Sequence, residues 1–197
     1  MSDIVHVSYG QTGESAKINE MGMREMQQKA YQARDAQYLL LKAPPASGKS
    51  RALMFVALDK LVNQGIRKVI VAVPERSIGG SFGITKLSEY GFYTDWTYNE
   101  QYNLCTPGLD GSKTKVEAFR NFMANDEKIL ICTHATLRFA YEELDDSMFD
   151  GTLLAIDEFH HVSADGDSRL GELLRSIMAK SSAHIIAMTG SYFRGDS

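Results

Sequence analysis

The stretch Tyr38-Leu39-Leu40-Leu41-Lys42-Ala43-Pro44-Pro45-Ala46-Ser47-Gly48-Lys49-Ser50 decides how the rest of the chain is read. Its opening run, Tyr38–Lys42, is nearly continuous in apolar character and too short for a helix, the pattern of a strand buried on both faces. Two prolines and a glycine then interrupt any regular element. Ser50–Asn63 follows as a run of helix formers whose Leu53, Val56, Ala57, Leu58 and Leu61 fall largely along one side. In a loop of small residues between strand and helix, consecutive backbone N–H groups can turn inward and wrap phosphate oxygens, helped by the positive end of the helix. On this reading Ala43, Pro44, Pro45, Ala46, Ser47, Gly48, Lys49 and Ser50 form a phosphate-binding loop. Lys49 reaches the β- and γ-phosphates, and the Ser50 hydroxyl takes Mg²⁺. Ala43 stands where the strict pattern has glycine. The plainer alternative is a strand–loop–helix turn that happens to be rich in small residues, and the placement of the loop argues against it.

Working outward, four further apolar runs have the same character: Lys68–Val73, Lys128–Cys132, Leu153–Ile156 and His184–Met188. Helical periodicity fills the intervals at Glu20–Arg34, Lys113–Ala124, Thr136–Leu144 and Ser168–Lys180, the last with Leu170, Leu173, Leu174 and Ile177 on one face. Strands alternating with helices predict a three-layer α/β domain with a mainly parallel central sheet and right-handed crossovers. Two regions break the rhythm. Residues 1–19 are polar and rich in small residues, and read as an extension or mobile arm. Residues 91–112 contain Phe92, Tyr93, Trp96, Tyr98 and Tyr102 ahead of turn signals at 106–108 and 110–111, and suit either an extra strand with a hairpin or a surface insertion. Their aromatic side chains either pack a subdomain or stack on bases.

The chain has 197 residues, 44% of them apolar and 23% charged, with a formal net charge of -4. That suits one α/β domain and excludes disordered, collagenous and mini-protein classes. No apolar run approaches the ~20 residues needed to span a bilayer, and Met1-Ser2-Asp3-Ile4 lacks the basic and apolar regions of a signal peptide. Cys105 and Cys132 lie far apart, outside any CxxC or Cys/His cluster, so neither a disulfide framework nor a zinc site is expected and the reducing cytoplasm is the simplest compartment. Residues 1–100 carry 12 Lys+Arg against 10 Asp+Glu, and residues 101–197 carry 9 against 15. No strongly basic surface follows from that balance, so contacts with nucleic acid would be local.

A second chemical feature ends the fourth apolar run, at Leu153-Leu154-Ala155-Ile156-Asp157-Glu158-Phe159-His160. Ligands of α/β sheets bind at the C-terminal ends of strands, where Asp157 and Glu158 would stand. A phosphate-binding loop needs a carboxylate near its Mg²⁺, a role for Asp157, and a group that polarises the attacking water, a role for Glu158. Acidic pairs are common on surfaces. In company with the loop, this pair points to a nucleotide hydrolase.

With these motifs in place, the chain over residues 20–194 resembles the first RecA-like domain of superfamily 2 helicases and translocases, in the DExH branch. Ala43–Ser50 is similar to motif I, Asp157-Glu158-Phe159-His160 to motif II and Thr189-Gly190-Ser191 to motif III. Val73-Pro74-Glu75-Arg76-Ser77 is similar to motif Ia, and Thr133-His134-Ala135-Thr136-Leu137 to the segment that also touches the bound strand. The resemblance therefore implies nucleic-acid contacts at Pro74, Arg76, Ser77 and Thr133, and coupling of nucleotide state to that surface through His160, Thr189, Gly190 and Ser191. Met23-Arg24-Glu25-Met26-Gln27 is similar to the Arg-x-x-Gln segment of restriction-type and repair-type members. It implies nucleotide contacts from Arg24 and Gln27, the glutamine reading adenine. The blander readings are a solvent-exposed Gln27 and an Arg24 that caps its helix or pairs with an acid. His134 reads either way.

The Thr-Gly-Ser form of motif III and His160 suggest kinship with type III restriction-enzyme translocase subunits and DNA-repair helicases. DEAD-box RNA proteins carry Ala-Asp after Asp-Glu. The resemblance thus implies ATP and Mg²⁺ as ligands, DNA favoured over RNA as the polymer, and no membrane. Residues 20–197 would form the ATP-binding domain behind an extension at 1–19. Gly79-Gly80-Ser81 departs from the family, which often has Leu and Gln there. Motifs IV to VI, which the family carries on a second RecA-like domain with the arginine fingers, are absent from these residues, so a partner domain in the same or another chain is expected. The competing readings are a nucleotide-switched assembly module, the translocase part of a restriction endonuclease and, last, a small-molecule kinase.

Overall fold

The computed structural model describes residues 2–9, 18–44, 47–106, 112–159 and 169–190, with only the backbone at 76–78 and 112. The strands are β1 (Ile4–Ser8), β2 (Tyr38–Ala43), β3 (Lys68–Val73), β4 (Ile129–Thr133), β5 (Thr152–Ile156) and β6 (His184–Gly190). The helices are α1 (Glu25–Gln32), α2 (Lys49–Asn63), α3 (Ser112–Ala124), α4 (His134–Tyr141) and α5 (Arg169–Lys180). All strand pairs are parallel, in the order β1-β2-β6-β5-β3-β4.

Side chains alternate across each strand, so one sheet feeds two cores. Val69, Val71 and Val73 of β3, with Leu153, Ala155, Ile186 and Met188, pack under α1 and α2 against Met26, Phe55 and Val56. Ile70 and Ala72 of β3, with Leu154, Ile156 and Ile185, face Phe119 and Phe122 of α3, Leu137 of α4 and Leu173 and Ile177 of α5. Every residue of β3 and β5 is buried, which is why these runs do not alternate in sequence. The predicted three-layer parallel α/β architecture is the one observed.

Two local features differ from the sequence reading or settle it. Ile4–Ser8, read as part of an extension or mobile arm, is an edge strand whose register runs from Ile4 against Tyr38 to Ser8 against Lys42. Four of its five side chains are exposed, so no buried-strand pattern marks it. The aromatic segment adds no strand among the described residues. Short 3-10 turns at Leu87–Tyr90 and Glu100–Tyr102 and an isolated bridge between Thr85 and Trp96 pack it onto the domain. The Trp96 indole is fully buried, donating through Nε1 to the Phe82 carbonyl at 2.9 Å, and the Phe92 ring lies 4.8 Å from that of Phe55. Trp96 and Tyr102 are therefore core residues, closed to stacking on a base. After α4, Asp146 accepts hydrogen bonds from the Tyr141 hydroxyl at 2.7 Å and the Ser176 hydroxyl at 3.1 Å.

At the N-terminal end of the sheet, buried polar groups tie α1 and α2 together. Asp59 accepts from Tyr31, Asn63, Gln64 and Tyr93, and its carboxylate lies 3.4 Å from Arg34 Nε. The neighbouring Lys60 ammonium donates to the Ala36 carbonyl at 2.9 Å and to His184 Nδ1 at 2.7 Å. An ammonium cannot accept, so Nδ1 is the unprotonated nitrogen. Burial, and then the Lys60 charge, lower the His184 pKa to about 4 from an ordinary 6.5. The folded imidazole thus refuses a proton that the unfolded chain takes up, and stability falls as pH drops from about 6.5 to about 4. His184→Asn keeps an acceptor for Lys60 without titrating. Urea denaturation at a series of pH values should show a shallower fall over that window in the variant; identical slopes would exclude His184 as the source.

Candidate nucleotide-binding site

The candidate site lies at the ends of two strands, β2 and β5, with β6 between them. The register sets Lys42 opposite Thr189, Ala43 opposite Gly190 and Ile156 opposite Ala187. The loop leaving Ala43 and the acidic turn leaving Ile156 therefore open on one edge, and Thr189 and Gly190 end the strand that separates them. Across this edge Lys49 Nζ lies 3.3 Å from Glu158 Oε1, with both side chains largely buried.

The loop joins the end of β2 to the start of α2. Ala43 is buried at the end of β2, and the Ser47 N–H donates to the Pro44 carbonyl at 3.3 Å. Gly48 takes a left-handed conformation (φ 89°) before α2 begins at Lys49. Among the described residues no side chain caps α2, and no acidic residue stands in its first turn, so the positive end of the helix carries no cap from them. The Ser47 hydroxyl is buried without a hydrogen-bond partner among the described residues, a donor that a phosphate oxygen would satisfy. Pro45 and Ala46 lie outside the described residues.

Gln27, 2% exposed, fills the space beside this loop. Its Oε1 accepts from the Arg24 N–H at 2.8 Å, closing the first turn of α1, and its Nε2 donates to the Gly48 carbonyl at 3.2 Å. The exposed reading of Gln27 is thus wrong: α1 packs on α2, and this residue points into the contact. Arg24 is exposed at the N-cap of α1. A Cβ on Gly48 would meet Gln27 Nε2 at 2.5 Å, so a side chain there is disfavoured by the backbone conformation and would also require the Gln27 amide to shift.

Asp157 is 7% exposed. Burial first, and then the Glu158 carboxylate, push its pKa up to about 6, against Lys49 and the Glu158 N–H, which pull it down. Its Oδ1 accepts that N–H at 3.0 Å. Glu158 has φ 52°, a left-handed backbone that costs a residue with a Cβ about 1–2 kcal/mol. Flanking bonds hold the turn: the Asp157 N–H donates to Ala72, the Phe159 N–H to Met188 at 2.8 Å, and His134 Nε2 lies 2.8 Å from the Asp157 carbonyl oxygen. Oxygen donors of the kind Mg²⁺ prefers are thus present in Ser50 and Asp157. A site with one carboxylate, one hydroxyl and substrate phosphates needs no larger acidic cluster, and the described residues contain none.

The strand ends assigned to nucleic acid also meet, since Val73 pairs with Thr133. Pro74 follows β3 half-buried, and Arg76 and Ser77 begin the 3-10 turn Arg76–Phe82, with side chains outside the description. Thr133 is the N-cap of α4, its hydroxyl accepting from the Thr136 N–H at 3.2 Å. Gly79, where the motif departs from its relatives, is explained by packing: a Cβ there would fall 2.6 Å from that of Cys105. His160 and Ser191 lie outside the described residues. His134 is the residue that sequence reasoning left undecided; its one signal was its place directly after a strand end.

A sequence profile described as DEAD/DEAH box helicase matches residues 24–194. The chain belongs to that family. It is 64% identical over 197 residues to a Bacillus subtilis (strain 168) protein named "Putative ATP-dependent helicase YeeB". All of this chain is covered, but it spans only 32% of that relative's length. Among solved structures it is similar to the Hef helicase domain of Pyrococcus furiosus (TM-score 0.59, 16% identity, 86% of this chain and 33% of that one). The UvsW helicase of bacteriophage T4 gives a TM-score of 0.54 at 16% identity over 87% of this chain and 54% of that one. The Mycobacterium smegmatis helicase Lhr, solved bound to ssDNA and AMP-PNP, gives 0.53 at 20% identity over 83% and 22%. At these identities the likeness is one of fold.

The close approach of Gln27 to Gly48 makes a direct test. Gly48→Ala should cost about 1–2 kcal/mol from backbone conformation alone, with the Gln27 clash added. In chemical denaturation the Gln27→Ala/Gly48→Ala pair should therefore lose less stability than the two single losses combined. Simple additivity would remove the contact.

Proposed function

We propose that this chain is the ATP-binding and ATP-hydrolysing motor domain of a nucleic-acid helicase or translocase, with DNA as the favoured polymer. The observation that carries the proposal is the meeting of Lys49 and Glu158, 3.3 Å apart across two strand ends. It draws a phosphate-binding loop and an acidic turn into one site. Membership of the helicase family and the uncapped α2 terminus support the same reading.

In this proposal the N–H groups of Ala43 and Ser47–Ser50, with the Ser47 hydroxyl, enclose the phosphates, joined by Pro45 and Ala46 in the same loop. Lys49 exchanges its partner Glu158 for the β- and γ-phosphates. Ser50 and Asp157 hold Mg²⁺, which neutralises phosphate charge when bound. Released from Lys49, the Glu158 carboxylate orients a water for in-line attack and takes its proton. Gln27, already fixed on the Gly48 carbonyl, and Arg24 flank the base. Thr189 and Gly190, with His160 and Ser191, relay nucleotide state to a surface formed by Pro74, Arg76, Ser77 and Thr133. A second RecA-like domain, in the same or another chain, completes the site with arginine fingers. Without that charge, turnover would be lower by roughly 10³–10⁵, so this chain alone should bind ATP and hydrolyse it poorly. Two buried, unbridged cysteines suit a cytoplasmic setting, and no helix among the described residues is long and apolar enough to cross a membrane.

Binding of fluorescent ATP with Mg²⁺ tests the site. Lys49→Ala should weaken affinity at least ~10-fold, the equivalent of one charge-assisted contact. Glu158→Gln should keep binding while lowering turnover by about 10²-fold or more. Asp157 must be ionised to take the metal, so Mg²⁺-dependent affinity should fall as pH drops below about 6. Unchanged affinity in Lys49→Ala would reject the phosphate-loop assignment. Nucleotide-dependent association with a protein, without salt-sensitive oligonucleotide binding, would favour the switch module over the motor.

A further inference from the structure

We infer that His134 is a positioning residue that couples the nucleic-acid surface to the hydrolytic turn, through its hydrogen bond to the backbone carbonyl of Asp157. The inference rests on the function proposed above and names a residue to which that function gives no role.

His134 Nε2 lies 2.8 Å from the Asp157 carbonyl oxygen. A carbonyl can only accept, so Nε2 carries the proton and donates. The oxygen it holds belongs to the peptide unit that joins Asp157 to Glu158. At the other end of that same unit, the Glu158 N–H donates to Asp157 Oδ1 at 3.0 Å. One planar group is thus pinned at both ends, by an imidazole from α4 and by the carboxylate assigned to Mg²⁺. Rotating that plane would take the Glu158 N–H away from Asp157 Oδ1 and change the left-handed φ of 52° at Glu158, whose carboxylate meets Lys49. The orientation of both acidic side chains therefore depends on where the His134 ring sits.

That ring sits at the first residue of α4, directly after Thr133, whose hydroxyl caps the helix. Thr133 pairs with Val73 at the edge where the two proposed strand-binding loops meet. A polymer that shifts the start of α4 carries His134 with it, and the imidazole transmits the shift to the Asp157–Glu158 peptide. The path is one side chain and one hydrogen bond long. Coupling of this kind is reciprocal: nucleotide must alter polymer affinity by the factor by which polymer alters nucleotide affinity.

The test measures that factor in the full-length protein, as the affinity for a fluorescein-labelled oligo(dT) with and without Mg²⁺-AMP-PNP. Wild type should show a change of roughly 5-fold or more, as is usual for coupled sites. His134→Ala should bring the factor to within about 2-fold of unity while both ligands still bind. His134→Gln presents an amide N–H at similar reach and should restore the coupling, which a merely structural role would not predict. Undiminished coupling in His134→Ala overturns the inference, as does wild-type binding of both ligands with no coupling. If wild type fails to bind AMP-PNP, the functional proposal falls and the inference falls with it. If His134→Ala does not fold, His134→Gln and His134→Phe decide: the inference requires coupling in the first and none in the second.

Discussion

The backbone ladder joining β2 to β6 and β6 to β5 sets the geometry on which the rest of this domain depends. Parallel strands bring their C-terminal ends to one edge, and the register leaves Ala43 beside Gly190 while Ile156 pairs with Ala187. No side chain could bring Lys49 and Glu158, 109 residues apart in sequence, to 3.3 Å unless that ladder had first aligned their strands. The sheet is held by burial on both faces, and a shift of one residue in β3 or β5 would exchange one apolar core for the other. Register is therefore pinned by the contents of both cores: Phe55 and Val56 on one side, Phe119, Phe122 and Ile177 on the other.

Within that frame the site holds charges at a cost. Asp157 is buried beside a second carboxylate, which raises its pKa to about 6. Glu158 adopts a backbone conformation unfavourable to its side chain. Among the described residues no side chain caps the start of α2, and the Ser47 hydroxyl has no hydrogen-bond partner. Each of these opposes folding. Local destabilisation gathered at one strand-end edge is the pattern of a site shaped for a ligand. The opposite end of the sheet shows the reverse. There Asp59 collects four hydrogen bonds and an arginine, and Lys60 satisfies a carbonyl and an imidazole. Polar groups at that end are fully engaged and serve the scaffold.

Two residues show how packing gives a local motif its function. Gln27 is a polar residue on a glutamine-rich helix, and by composition it belongs in solvent. The contact of α1 with α2 buries it against Gly48, where its amide ties the first turn of α1 to the end of the loop that leads into α2. His134 follows a strand end, where many residues are inert. Its meaning comes from β5, which delivers the Asp157 carbonyl to its ring.

The sequence by itself determined the features whose causes lie within a few residues of each other. Apolar runs bounded by turns marked five of the six strands, and a loop of small residues between a strand and a helix marked the candidate phosphate-binding loop. Two carboxylates after a buried strand gave the acidic turn. These signals are legible because hydrophobic periodicity and backbone conformation act over one or two turns of chain. The tertiary structure decided what depends on distant partners. Ile4–Ser8 became a strand because β2 offered a free edge, although most of its own side chains stay in solvent. The aromatic cluster around Trp96 became core because Phe55 and the Phe82 carbonyl lay within reach. Which polar side chains face the nucleotide edge was fixed last, by the order of the strands, and strand order is set by the fit of whole elements around two shared cores.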